Sequence, residues 1–265
     1  MFAYLSGLIA IILYLLGALF QARALFRGEI HRGKVLGLGA AGAIAHIITL
    51  WLLIVSDQGY DLGLYKIASL FSWTMVVLAL LNCLRRPLEG PLLMLYPLAA
   101  LCILASLSLS SAYQPHDFSP GTATHILLAI LAYSVIAIAA AQALLLAYQD
   151  HQLKDRNALK RIGRLPPLQT MEALLFELLW TGLVLLSLVI ASGVIFMDSL
   201  LAQQLSHKFV LSLIAWVVFA ILLWGRHQLG WRGKTAIRWT LTGFMFLALA
   251  YFGSKLVVEL ILNQS

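Results

Sequence analysis

Seven histidines carry the most reactive chemistry in this chain, and four of them lie in or at the ends of long apolar runs: His46, His125, His207 and His227. The other three, His31, His116 and His151, fall in short polar segments and read as solvated loop residues. A neutral imidazole is a good transition-metal ligand, and an ionisable group deep in an apolar run is costly unless it faces a partner or ligand. His46 lies mid-run in Ala43-Ile-Ala-His-Ile-Ile-Thr-Leu-Trp51, either as such a site or as a neutral ring bonded to a nearby carbonyl. His125 opens one run in Thr122-Ala-Thr-His-Ile-Leu-Leu128, and His207 opens another in Leu205-Ser-His-Lys-Phe209. Two imidazoles at one depth on two helices can bind one metal from opposite sides. A bis-histidine haem needs that arrangement, because the porphyrin leaves two axial positions. The alternative is that each ring caps or hydrogen-bonds at a helix end. His227 closes a run in Trp224-Gly-Arg-His-Gln-Leu-Gly-Trp-Arg-Gly233. At about 100° per residue it falls on nearly the opposite face from His207, so the two would serve separate sites.

Other chemistries are missing their residues. Cys83 and Cys102 are the only cysteines, so there is no CxxC relay, no CxxCH attachment of covalent haem and no cysteine-rich zinc site. No phosphate-binding glycine loop of either common type occurs.

The elements that must position these histidines are membrane spans. Of 265 residues, 62% are apolar and 11% charged, with a mean hydropathy of +0.92. That leaves too little polar surface for a water-soluble globule, and too little polarity for disorder. The runs predict an all-α polytopic bundle of eight helices, at about 3–22, 35–55, 64–84, 91–111, 122–148, 171–197, 208–225 and 235–262. The chain reads as one transmembrane domain over 1–265, with a core at about 35–262.

Charge orients the bundle. Arg23, Arg27, Arg32 and Lys34 follow the first run, and Arg85 and Arg86 the third. Lys154, Arg156, Lys160, Arg161 and Arg164 follow the fifth, and Arg226, Arg232, Lys234 and Arg238 surround the gap after the seventh. Fifteen of the eighteen basic residues thus fall in alternate gaps; Lys66, Lys208 and Lys255 are the others. This alternation places those gaps in the cytoplasm and both termini outside it. It also accounts for the net charge of +7 without nucleic acid. With no basic residue before it and several after it, the first run reads as a retained helix, not a cleaved signal. In a bacterium the location would be the inner membrane.

Remaining polar residues have local readings. Glu172 and Glu177 fall in the first turns of the sixth helix, where negative charge suits the helix dipole. Lys255 and Glu259 are spaced to pair on the last helix. Trp51, Trp73, Trp216 and Tyr133 could flank a flat macrocycle, and Arg226, Lys208 or Lys255 could meet its carboxylates.

Three stretches together resemble the cytochrome c assembly family of haem-handling membrane proteins (the CcsA, CcmC and HemX type), nearest its small HemX-like, YpjD-like branch. They are Thr124-His-Ile-Leu-Leu-Ala-Ile-Leu-Ala-Tyr-Ser134, Leu165-Pro-Pro-Leu-Gln-Thr-Met-Glu172, and Trp216 to Gly233 followed by Ala250-Tyr-Phe-Gly253. The resemblance implies b-type haem, held by one pair of outer histidines and one pair within the membrane. By position, His125 corresponds to the first outer ligand and His46 to the first intramembrane one. His227 is nearest the second intramembrane ligand, about a turn beyond the family position, where Trp224 stands. The chain departs from the pattern twice. The family's tryptophan-rich outer segment is replaced by Asp198 to Lys208, which has no tryptophan. Its second outer histidine falls at about Leu262. His207, inside the replaced segment, is the expected substitute.

The expected function is therefore haem binding in support of haem delivery, export or cytochrome c assembly, without bond-making catalysis. The implied partners are haem, the bilayer, and an apocytochrome c or another haem-assembly membrane protein. Three readings compete: an accessory subunit for a divalent metal using His125, His207, Asp117 and Asp198, a cofactor-free scaffold, and a quinone-linked electron carrier.

Overall fold

The computed structural model describes residues 1–27, 31–85, 89–111, 113–152, 167–196 and 203–256, without the side chains of 26, 27, 203–207 and 254. It is all-α apart from one minimal hairpin. The helices are α1 (Phe2–Arg27), α2 (Arg32–Ile54), α3 (Leu64–Arg85), α4 (Leu92–Ser108), α5 (Pro120–Gln152), α6 (Leu168–Phe196), α7 (Gln203–Leu229) and α8 (Lys234–Ala248). A π-helical turn, Leu249–Gly253, and a short α9 (Ser254–Leu256) continue α8. Among the described residues, seven helices are long and apolar enough to cross a membrane, and α4, at 17 residues, is shorter. Their ends fall at the expected punctuation. Pro120 opens α5, where its missing N–H leaves no bond unmade. Pro91 precedes α4, and Pro167 precedes α6.

The described chain forms two compact units. The first contains α1–α4, and the second contains α5–α8 with the turns that follow. In the first unit, α1 packs against α2 and α4, and α3 packs against α2 and α4. The hairpin joins β1 (Val55–Ser56) to β2 (Gly59–Tyr60) between α2 and α3. The loop after α4 adds to it: the Tyr60 N–H donates to the His116 carbonyl at 3.1 Å. His116, expected as a solvated loop residue, is exposed as a side chain and bridged to Tyr60 through its backbone. An ion pair between Lys66 and Asp61 secures the turn into α3.

The second unit runs up and down. Near the start of α5, His125 meets Ser192 near the end of α6, while Gln142 far along α5 donates to the Met171 carbonyl near the start of α6. In the same sense, Trp216 of α7 bonds Ser187 of α6, and Arg226 at the end of α7 reaches Glu172 near the start of α6. α5 is buried on every side from Ala132 to Ala143. The small side chains of its Ala137–Ala143 stretch suit that depth, because they let neighbouring backbones come close.

Candidate functional site: a half-buried imidazole held by a serine

His125 sits in the second turn of α5, half-buried. Its Nδ1 lies 2.9 Å from the Ser192 hydroxyl oxygen. That hydroxyl already donates its one proton to the Val189 carbonyl, at 3.0 Å. With its proton on that carbonyl, Ser192 accepts from His125, and Nδ1 is the protonated nitrogen of that arrangement. The His125 ring is also within hydrogen-bonding reach of the Val189 backbone, and in the Nδ1–H form Nε2 carries the lone pair. A ring held at one nitrogen and open at the other is the arrangement of a metal-ligating histidine, whose second nitrogen usually donates to a fixed acceptor.

The opposite end of the second unit is built around Glu172. α6 begins four residues before it, so the carboxylate lies past the first turn, and the dipole-capping role expected for it does not hold. Instead it collects three donors from the end of α7 and the turn before α8. Arg226 Nη1 lies at 3.4 Å, Arg232 Nε at 3.2 Å and the Gly233 N–H at 3.3 Å. Glu172 is only 7% exposed, so these donors offset the desolvation of its charge. Arg226 also stacks 4.6 Å above the Phe176 ring and donates to the Trp231 carbonyl. It is committed within the protein, which corrects the expectation that it meets a ligand carboxylate. His227, beside it, is exposed and has no described partner.

Twenty residues of α6 separate Ser192 from Glu172, about 30 Å of helix axis. His125 and His227 therefore cannot bind one ligand atom. The backbone places His207 in the first turns of α7, toward the His125 end, because α7 runs antiparallel to α6. Its side chain lies outside the described residues, as do Asp198 and Glu259 altogether.

His46 belongs to the first unit and is fully buried. Its Nε2 is 2.8 Å from the Ser69 hydroxyl on α3, and its Nδ1 is 3.4 Å from the Tyr14 hydroxyl on α1. The partners are side chains, not the backbone carbonyl expected of a satisfied ring. Tyr14 in turn stacks on Tyr96 of α4, with centroids 5.5 Å apart and planes at 20°. Tyr96 donates to the Val35 carbonyl at 2.9 Å.

The aromatic residues expected to flank a macrocycle are placed otherwise. Trp51 is 67% exposed on the outside of α2. Trp73 donates to the Ala43 carbonyl and Trp216 to the Ser187 hydroxyl. Tyr133 lies 3.4 Å from the Ser212 hydroxyl and edge-on to Tyr251. The residues missed from sequence are Ser192, Ser69 and Tyr14. Their one signal was a polar atom inside an apolar run, which many membrane helices also carry. Among the described residues no three His, Cys, Asp or Glu side chains come together.

Two four-helix units with most helices long enough to cross a bilayer define a polytopic helical membrane protein. The family model described as Cytochrome C assembly protein matches residues 37–262, and the chain belongs to that family. It is 34% identical over 223 residues to the inner membrane protein YpjD of Escherichia coli K12, covering 82% of this chain and 84% of that protein. It is 29% identical over 141 residues to an uncharacterized 28.8 kDa protein of Azospirillum brasilense, about half of each chain. It is 24% identical over 132 residues to the protein HemX of Brevibacillus brevis, again about half of each. No solved structure matches the chain.

Proposed function

We propose that this chain is a haem-binding member of the family in the bacterial inner membrane, with both termini outside the cytoplasm. In this reading it holds b-type haem and assists haem delivery or cytochrome c assembly, alongside an apocytochrome c or another haem-assembly membrane protein. The observation that carries the proposal is the Ser192 hydroxyl 2.9 Å from His125 Nδ1: accepting a hydrogen bond from Nδ1–H, it would leave the Nε2 lone pair for iron. His125 and His207 would hold the haem iron, which would supply the redox-active metal centre when bound. The chain's part is to hold one imidazole proton, orient the ring and provide apolar surroundings for a flat apolar ligand. His207 is the proposed second ligand at the same end, and His227 the proposed ligand of a separate site at the far end. The family description and the name of the HemX relative support the haem reading. The inner-membrane relative supports the location.

The test is the visible spectrum of protein purified in detergent after expression with a haem precursor, oxidised and then reduced with dithionite. A low-spin haem spectrum that is lost in His125→Ala supports the proposal. A preparation that stays colourless after added hemin overturns it.

A further inference from the structure

We infer that His46 is a buried structural junction in the first unit and not an iron ligand, although it stands at the family's intramembrane-ligand position. An axial ligand needs one nitrogen aimed into a space that admits a flat macrocycle. Neither nitrogen of His46 has such a space. Nε2 ends on Ser69 of α3, Nδ1 faces Tyr14 of α1, and the ring is 0% exposed. A neutral imidazole has one donor and one acceptor, so it serves both hydroxyls at once and has no lone pair left over.

The surroundings are built to keep it so. Tyr14 is itself fully buried, and its ring stands edge-on to His46 at 5.8 Å. Turning it away would break its stack on Tyr96, another fully buried ring. α2 makes room for both tyrosines with glycine: a Cβ on Gly42 would fall 2.9 Å from two Tyr14 ring carbons, and one on Gly39 would collide with the Tyr96 hydroxyl. His46 therefore ties α1, α2 and α3 together through side-chain hydrogen bonds in a region where no water competes for them. This role holds whether or not the second unit binds haem.

The experiment compares His46→Gln, His46→Ala, Ser69→Ala and the His46→Ala/Ser69→Ala double variant of the full chain in detergent. The readouts are haem content by pyridine haemochrome and melting temperature. Glutamine keeps donor and acceptor groups but is a poor iron ligand. The inference expects His46→Gln to retain the full haem content and low-spin spectrum of the wild type. It also expects His46→Ala and Ser69→Ala to lower the melting temperature, with the double variant no worse than the worse single one. Loss of haem from a His46→Gln protein that melts as the wild type does would overturn it. So would fully additive melting shifts. A colourless wild type would overturn the haem proposal alone, and the melting temperatures would still decide the role of His46.

Discussion

The Ser192 hydroxyl stands 2.9 Å from Nδ1 of His125 and 3.0 Å from the Val189 carbonyl, so a serine 67 residues away holds the imidazole at one nitrogen. Replacing Ser192 by alanine removes that partner and leaves His125, the proposed ligand, in place. Outer partners of ligating histidines are typically worth about 10–100-fold in affinity. Ser192→Ala is therefore expected to weaken hemin binding by about that factor, while Ser192→Thr retains most of it. Hemin titration followed at the Soret band measures both. An unchanged dissociation constant in Ser192→Ala would mean that the serine does not orient a ligand.

Glu172 anchors the turn between α7 and α8 through three donors. Glu172→Gln keeps the shape and removes the charge, leaving two guanidiniums without their carboxylate. Breaking a buried charge pair costs about 3–5 kcal/mol. Arg226 and Arg232 are 32% and 55% exposed as side chains, so water relieves part of that. A loss of about 1–3 kcal/mol is expected, along with faster hydrogen exchange at residues 225–233. Exchange mass spectrometry reads the local effect, and denaturant titration reads the global one. His125-dependent hemin binding, about 30 Å away along α6, should survive the substitution.

The positions of the long helices among the described residues were legible because a span needs only length and apolarity, and loops between spans must be polar. The predicted fourth run, 91–111, overshoots α4 at both ends: Pro91 stands before the helix, and the chain turns extended at Leu109, ahead of Ser110 and Ser111. Imidazole is rare enough in apolar runs for the histidines to stand out in the sequence. Their partners were not legible. Ser69 lies 23 residues from His46 and Tyr14 lies 32 away, on helices whose rotation is set only by packing. Glu172 was misread for the same reason: dipole arguments use neighbours in sequence, whereas its donors lie 54, 60 and 61 residues away.

The fit of α2 around Tyr14 gives a prediction independent of any ligand. Gly42→Ala would set a methyl 2.9 Å from the Tyr14 ring. The ring cannot retreat, being stacked on Tyr96. Overpacking of this kind costs about 1–3 kcal/mol. Gly42→Ala should therefore lower the melting temperature in detergent, and Gly42→Ala in a Tyr14→Leu background should lower it much less. Gly37, which has open space around its Cβ position, is the control: Gly37→Ala should be neutral or mildly stabilising.

The orientation of the second unit can be tested by reporter fusion. Arg226, Arg232, Lys234 and Arg238 surround the turn between α7 and α8, and basic residues flanking a span are retained in the cytoplasm. Glu172 neutralises part of this charge in the folded unit, but insertion is decided before that pairing forms. The turn should therefore be cytoplasmic, and the His125 end of α5, at the other end of the up-and-down unit, should face outward. Alkaline phosphatase fused after Gly233 should be inactive, and the same enzyme fused after Ser265 should be active. The reverse pattern would place His125 at the cytoplasmic face, and any haem bound there would lie on the wrong side for outward delivery.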